Sequence, residues 1–171
     1  HTRSTFVTGV QTCALPICFL VDDPATVTAA EPDLLDRLTH DLADALTGTG
    51  GPVLVPLAVG GHVDHILVRQ SVNTLTTTGH LDPERVLFYE DMPYSLFTAP
   101  TSEATPLLIP ADNPRRKREA MWAYRLQVTD GVAARIMRYG NAFGQRGFAE
   151  RLWVPRAAAA HARALIGSLA R

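Results

Sequence analysis

Apolar residues at Leu34, Leu35, Leu38, Leu42, Ala45 and Leu46 recur with a helical period, with mostly polar residues between them. The spacing predicts an amphipathic helix from Pro32 to about Leu46. Proline suits its first turn, and Gly48-Thr49-Gly50-Gly51 suits its end. The period then changes. Val53-Leu54-Val55-Pro56-Leu57-Ala58-Val59 is a short continuous apolar run, as expected for a strand of a parallel sheet buried on both faces. Pro56 fits poorly in mid-sheet, where it removes a ladder hydrogen bond. After Gly60-Gly61 a helix is predicted from about His62 to Thr78, burying Leu67, Val68, Val72 and Leu75 and ending at Gly79. Val86-Leu87-Phe88-Tyr89 reads as a second strand, so residues 53–89 form a strand–helix–strand crossover.

Beyond that unit, Leu107-Leu108-Ile109 suggests a further strand. Asn113 or Asp112 can cap a helix running from Pro114 to about Val128, and further helices are expected over Ala133–Tyr139 and Ala157–Leu169. Residues 19–30 show no clear pattern. Strands alternating with helices point to an open α/β sheet with flanking helices.

Charge narrows the function classes. Sixteen basic and seventeen acidic residues give a net charge of −1, so there is no electrostatic footprint for nucleic acid. Arg115-Arg116-Lys117-Arg118 is followed at once by Glu119 and reads as a solvated helix face. No apolar run reaches membrane-spanning length. The two cysteines, Cys13 and Cys18, lie in or beside a segment of a different kind. Residues 7–17, Val-Thr-Gly-Val-Gln-Thr-Cys-Ala-Leu-Pro-Ile, resemble a translated sequencing-library adapter. Residues 1–18 are therefore expected to be a non-native tail, and 19–171 the C-terminal part of a single domain. Without those cysteines there is no disulfide or thiolate metal site, which suits a cytoplasmic protein. The native N-terminus would be missing, so a signal peptide stays open.

Two motifs could carry chemistry. Gly60-Gly61-His62-Val63-Asp64-His65 follows the carboxyl end of the first predicted strand, where open α/β sheets place ligands. His62 and His65 share a face of a helical turn. One can bind a metal while the other meets a substrate, and Asp64 can orient an imidazole. Paired histidines at a helix start are also common as plain surface residues. The second motif, Tyr89-Glu90-Asp91-Met92-Pro93-Tyr94, follows the second strand. Its acids can line a pocket or simply cap the turn, with Pro93-Tyr94 packing. A third pattern, Lys117, Ala120, Met121, Tyr124 and Gln127, lies along one helix; periodicity makes Ala120, Met121 and Tyr124 core contacts.

Taken in order, from about Pro52 to Trp153 and including Phe148-Ala149-Glu150-Arg151, these patterns resemble the PIG-L/LmbE-like family of zinc-dependent N-deacetylases. The resemblance implies a Rossmann-like, mostly parallel open sheet with a Zn2+ site beside the strand ends. It implies His65 as a zinc ligand, His62 as oxyanion stabiliser or general acid, and Asp64 as the residue orienting His62. Glu90, Asp91 and Tyr94 would line the pocket mouth. The substrate would be a small N-acetylated amino-sugar conjugate of N-acetylglucosaminyl type, cleaved by metal-activated water. Leu126 stands where the family commonly has serine.

The family's other half-site, a His-Pro-Asp-Asp type motif, is absent. Thr39-His40-Asp41 lies within the amphipathic helix, His80-Leu81-Asp82-Pro83-Glu84 has the wrong order, and Asp22-Asp23 has no preceding histidine. Since a catalytic zinc needs about three protein ligands, the chain as given is expected neither to hold zinc tightly nor to hydrolyse amides. The alternative is a non-catalytic α/β binding module that keeps these histidines.

Overall fold

The first helix begins where Asp23 caps the amide of Ala25 and Pro24 occupies the first turn, a start that costs no hydrogen bond because proline lacks only an orphan N–H. The computed structural model describes residues 23–97, 104–110, 113–125, 128–143, 147–155 and 158–169. The adapter-like segment and both cysteines lie outside the described residues. The elements are α1 (Pro24–Ala30), α2 (Pro32–Leu46), β1 (Val53–Pro56), α3 (Val63–Thr77), β2 (Val86–Tyr89), β3 (Ala104–Pro110), α4 (Pro114–Trp122), α5 (Asp130–Phe143), β4 (Ala149–Pro155) and α6 (Ala159–Leu169). Short 3-10 turns span Pro83–Arg85 and Tyr94–Leu96.

The strands form one open sheet in the order β1-β2-β4-β3. The architecture is thus the expected α/β sheet with flanking helices. β1 and β2 run parallel, with Val55 opposite Phe88, and α3 makes the crossover. The expectation of a mostly parallel sheet does not extend to the described strands, because β4 is antiparallel to both of its neighbours, β2 and β3. Pro56 ends β1, which pairs with β2 alone among the described residues. That is the tolerated position for a strand proline.

Two apolar layers clamp the sheet. On one face Val55 and Val86 pack with Val72, Leu75 and Leu81, and Leu42 and Leu46 of α2 close the edge. On the other, Leu87, Leu107, Leu152 and Val154 meet Ala162 of α6. Leu54 is 59% exposed. α3 buries Leu67, Val72 and Leu75, with Ile66 and Val63 added and Val68 only half-buried. A further cluster joins Met121, Ile136, Met137 and Phe148.

Several local expectations change. α4 stops at Trp122, so Met121 is buried while Ala120 and Tyr124 face solvent. The helical period was right for Met121; Tyr124 stays outside because the helix ends before it can turn inward, and Ala120 lies on the exposed face of α4. Gln127 lies outside the described residues. The basic run is mostly exposed as expected, with Lys117 reaching Glu150 at 2.8 Å.

Candidate functional site

The loop from β1 to α3 needs unusual backbone. Ala58, Gly60 and Gly61 all have positive φ, at 58°, 84° and 73°, a conformation that glycine adopts freely and alanine at a cost. The turn ends on His62, the residue preceding α3, with φ −68° and ψ 127°. Gly60 has a second reason to lack a side chain. A Cβ there would sit 2.5 Å from the Cβ of Tyr94, so Tyr94 can approach this loop only because residue 60 is glycine.

Close approach brings three rings together. The centroids of His62 and His65 are 4.7 Å apart, and Tyr94 lies 5.7 Å from the first and 6.0 Å from the second. All three follow the carboxyl ends of the parallel pair β1 and β2, as the crevice rule for open α/β sheets requires. Burial lowers the pKa of His62, and the neighbouring His65 lowers it further; Asp64 and Asp91 oppose both. Asp64 itself is exposed in the first turn of α3 and acts on His62 through its charge.

Glu90 and Asp91 stand inside the fold, and Glu90 helps to line a small pocket with Met92, Tyr139 and Phe148. Both are buried, at 9% and 2% exposure, and as successive residues leaving β2 they take partners in different parts of the chain. Asp91 serves the histidine loop: its Oδ2 accepts from the Val59 amide at 3.1 Å, and its Oδ1 lies 3.2 Å from His65 Nδ1. Glu90 meets β4, where its Oε1 accepts from Trp153 Nε1 at 2.8 Å and pairs with Arg151 at 2.5 Å. Arg151 also donates to the Tyr139 hydroxyl and lies 3.9 Å from the Phe143 ring centroid. The sequence reading gave Arg151, Trp153 and Tyr139 no role at the site, although Arg151 and Trp153 fell within the stretch that carried the resemblance; the one local signal was an arginine at the start of an apolar triplet.

The Tyr139 phenol is pushed up to about 12, first by burial and then by the Glu90 carboxylate, against the pull of Arg151. An acid whose folded pKa exceeds its unfolded value near 10 contributes stability fully below that value and loses it as pH rises through the folded one. Stability is expected to fall between about pH 10 and 12, and Tyr139→Phe to make that fall shallower. Denaturant titrations at stepped alkaline pH measure the slope, and equal slopes for both proteins would remove Tyr139 from the account.

Among the described residues, no group of three or more His, Cys, Asp or Glu side chains is placed to hold a metal ion. His65 suits zinc as a single ligand, with a carboxylate beside its other ring nitrogen. The other ligands that a catalytic zinc needs are not among the described residues. A cleft of about 240 Å³ between α4 and α5, lined by Met121, Trp122, Arg125 and Asp130 among others, holds none of the candidate residues.

An open α/β sheet carrying paired histidines at its strand ends is the class that fold and site define. The chain is similar to 2'-N-acetylparomamine deacetylase of Streptomyces fradiae, at 30% identity over 170 residues covering 81% of this chain and 60% of that protein. It therefore spans about three-fifths of the length of that curated relative. Its fold is similar to that of a deacetylase from teicoplanin biosynthesis, with a TM-score of 0.62 at 19% identity, covering 73% of this chain and 54% of the other. The zinc-inhibited form of teicoplanin deacetylase gives a TM-score of 0.62 at 18% identity, covering 73% and 52%. At these identities the structural likeness is one of fold. No model of a known protein family matches the chain. No helix among the described residues is long and apolar enough to cross a membrane.

Proposed function

We propose that the protein is a zinc-dependent N-deacetylase of the PIG-L/LmbE-like type, in which this chain supplies the histidine half of the active centre. The observation that carries this reading is the convergence of His62, His65 and Tyr94 at the ends of β1 and β2, with the buried Asp91 behind them. The curated relative supports the reaction class, its name describing removal of an acetyl group from an acetylated aminoglycoside. The substrate is then a small N-acetylated amino-sugar conjugate, of N-acetylglucosaminyl or aminoglycoside type.

In the overall reaction the oxygen of water adds to the acetyl carbon, the C–N bond breaks, and a proton passes to nitrogen, giving acetate and a free amine. Zinc, when bound, supplies Lewis-acid polarisation and an acidified water. His65 is one ligand, with Asp91 behind its ring. His62, alongside, donates a hydrogen bond to the carbonyl oxygen as charge develops there, or a proton to the departing nitrogen. Asp64 biases His62 towards its cationic form, and Tyr94 walls the site opposite Gly60.

His62→Ala in the full-length protein is expected to lower kcat by about 10²–10⁴-fold. Release of free amine from an N-acetylated aminoglycoside measures it. Wild-type turnover in the variant would sink the role given to His62.

A further inference from the structure

Asp91 sits among the most deeply buried side chains of the molecule, and it is a carboxylate. Burying a charge without partners is costly, so what its two oxygens face is informative. Oδ2 takes the Val59 amide, in the loop that leads to His62. Oδ1 faces His65 Nδ1 at an ion-pair distance of 3.2 Å, and neither atom has a hydrogen-bond partner among the described residues. Each must satisfy the other or go unmet. Arg69, which donates to the Leu57 carbonyl, is a further countercharge: the Asp91 carboxylate favours its cationic form, against the lowering effect of burial.

We infer that Asp91 is a positioning residue: it fixes His65 as the Nδ1–H tautomer, leaves the lone pair on Nε2, and ties the β1–α3 loop to the end of β2. The lone pair is what a metal cation or a substrate proton would meet. For the metal, this rests on the deacetylase reading; the tautomer itself does not.

A purely structural carboxylate would hold the loop with no preference between the imidazole tautomers. Asp91→Asn separates the two roles. Its carbonyl oxygen can keep the Val59 bond while its NH2 faces His65 Nδ1, a geometry that rewards the opposite tautomer, Nε2–H. The fold has little reason to change; the ring does.

The measurement is ¹⁵N NMR of the His65 ring in the full chain, taken where the ring signals show the neutral imidazole. His65→Gln assigns its signals. Wild type is expected to show Nδ1 protonated and Nε2 bare, and Asp91→Asn the reverse. In the full-length protein, affinity for Zn2+ alone is expected to fall about 10–100-fold in the variant. A wild-type His65 protonated on Nε2, or a tautomer unmoved by the substitution, would overturn the inference, and the first of these needs no variant. A correct tautomer in a full-length protein that binds no zinc would instead overturn the deacetylase reading and leave the positioning intact.

Discussion

Gly140→Ala is expected to destabilise the protein by about 3 kcal/mol, the upper part of the range for overpacking a core. Helix propensity alone gives the opposite sign, since alanine in a helix interior is favoured over glycine by about 1 kcal/mol. The neighbour decides. A Cβ on Gly140 would fall within 2.6 Å of Cδ2 and Cζ of Phe148 and nearer still to Cε2. Phe148 is 4% exposed and packed among Met121, Ile136 and Met137, so the ring cannot swing clear without opening the cluster that joins α5 to α4. Gly131 provides the contrast on the same helix: its nearest contact would be Thr129 Oγ1 at 3.9 Å. Gly131→Ala is therefore expected to leave stability unchanged or raise it by up to about 1 kcal/mol. Urea titrations of the two variants measure both effects. A Gly140→Ala protein as stable as wild type would mean that the Phe148 ring does not pack against α5 at Gly140.

The same region shows why part of the fold was hidden in the sequence. α2, β1, α3 and β2 could be read directly because each keeps one period over its length and ends at a glycine, proline or acidic cluster. β4 could not. Its Glu150 and Arg151 break the apolar pattern, and Leu152, Trp153 and Val154 are buried consecutively because the strand lies between two neighbours with a covered face on each side. α1 is only seven residues long, too short for periodicity to register, although Asp23-Pro24 announced its start.

At the site, the histidine pair and Tyr94 were legible as glycine-flanked and strand-terminal motifs. The directions of Glu90 and Asp91 were not. Adjacent acids look interchangeable in a sequence, yet one meets Arg151 and the other His65. The partners that distinguish them stand far apart in the chain, and no local pattern encodes that choice.

Removing the guanidinium of Arg151 is expected to cost about 3 kcal/mol, the lower end for breaking a buried ion pair. The Glu90 side chain is 4% exposed and that of Arg151 16%, so water can repair the loss only from the arginine side. In Arg151→Met the Glu90 carboxylate keeps the indole N–H of Trp153 and loses its only cationic partner among the described residues. The Phe143 and Tyr139 rings lose the cation lying over them. Arg151→Lys should recover less than half of the difference, because an ammonium cannot reach Glu90 and Tyr139 with one planar fork. Glu90→Gln removes the charge that Arg151 answers, so the two changes should not add. The double variant Glu90→Gln/Arg151→Met is expected to be more stable than the sum of the singles predicts, by about 1–3 kcal/mol. A double-mutant cycle in denaturant measures this coupling, and simple additivity would show the pair to be energetically independent. The consequence for the site follows from position. Glu90 immediately precedes Asp91, so a loosened Glu90 frees the end of β2 and, with it, the carboxylate that faces His65. Hydrogen exchange at the Val59 amide, whose proton Asp91 accepts, is expected to accelerate in Arg151→Met beyond what the loss of global stability accounts for.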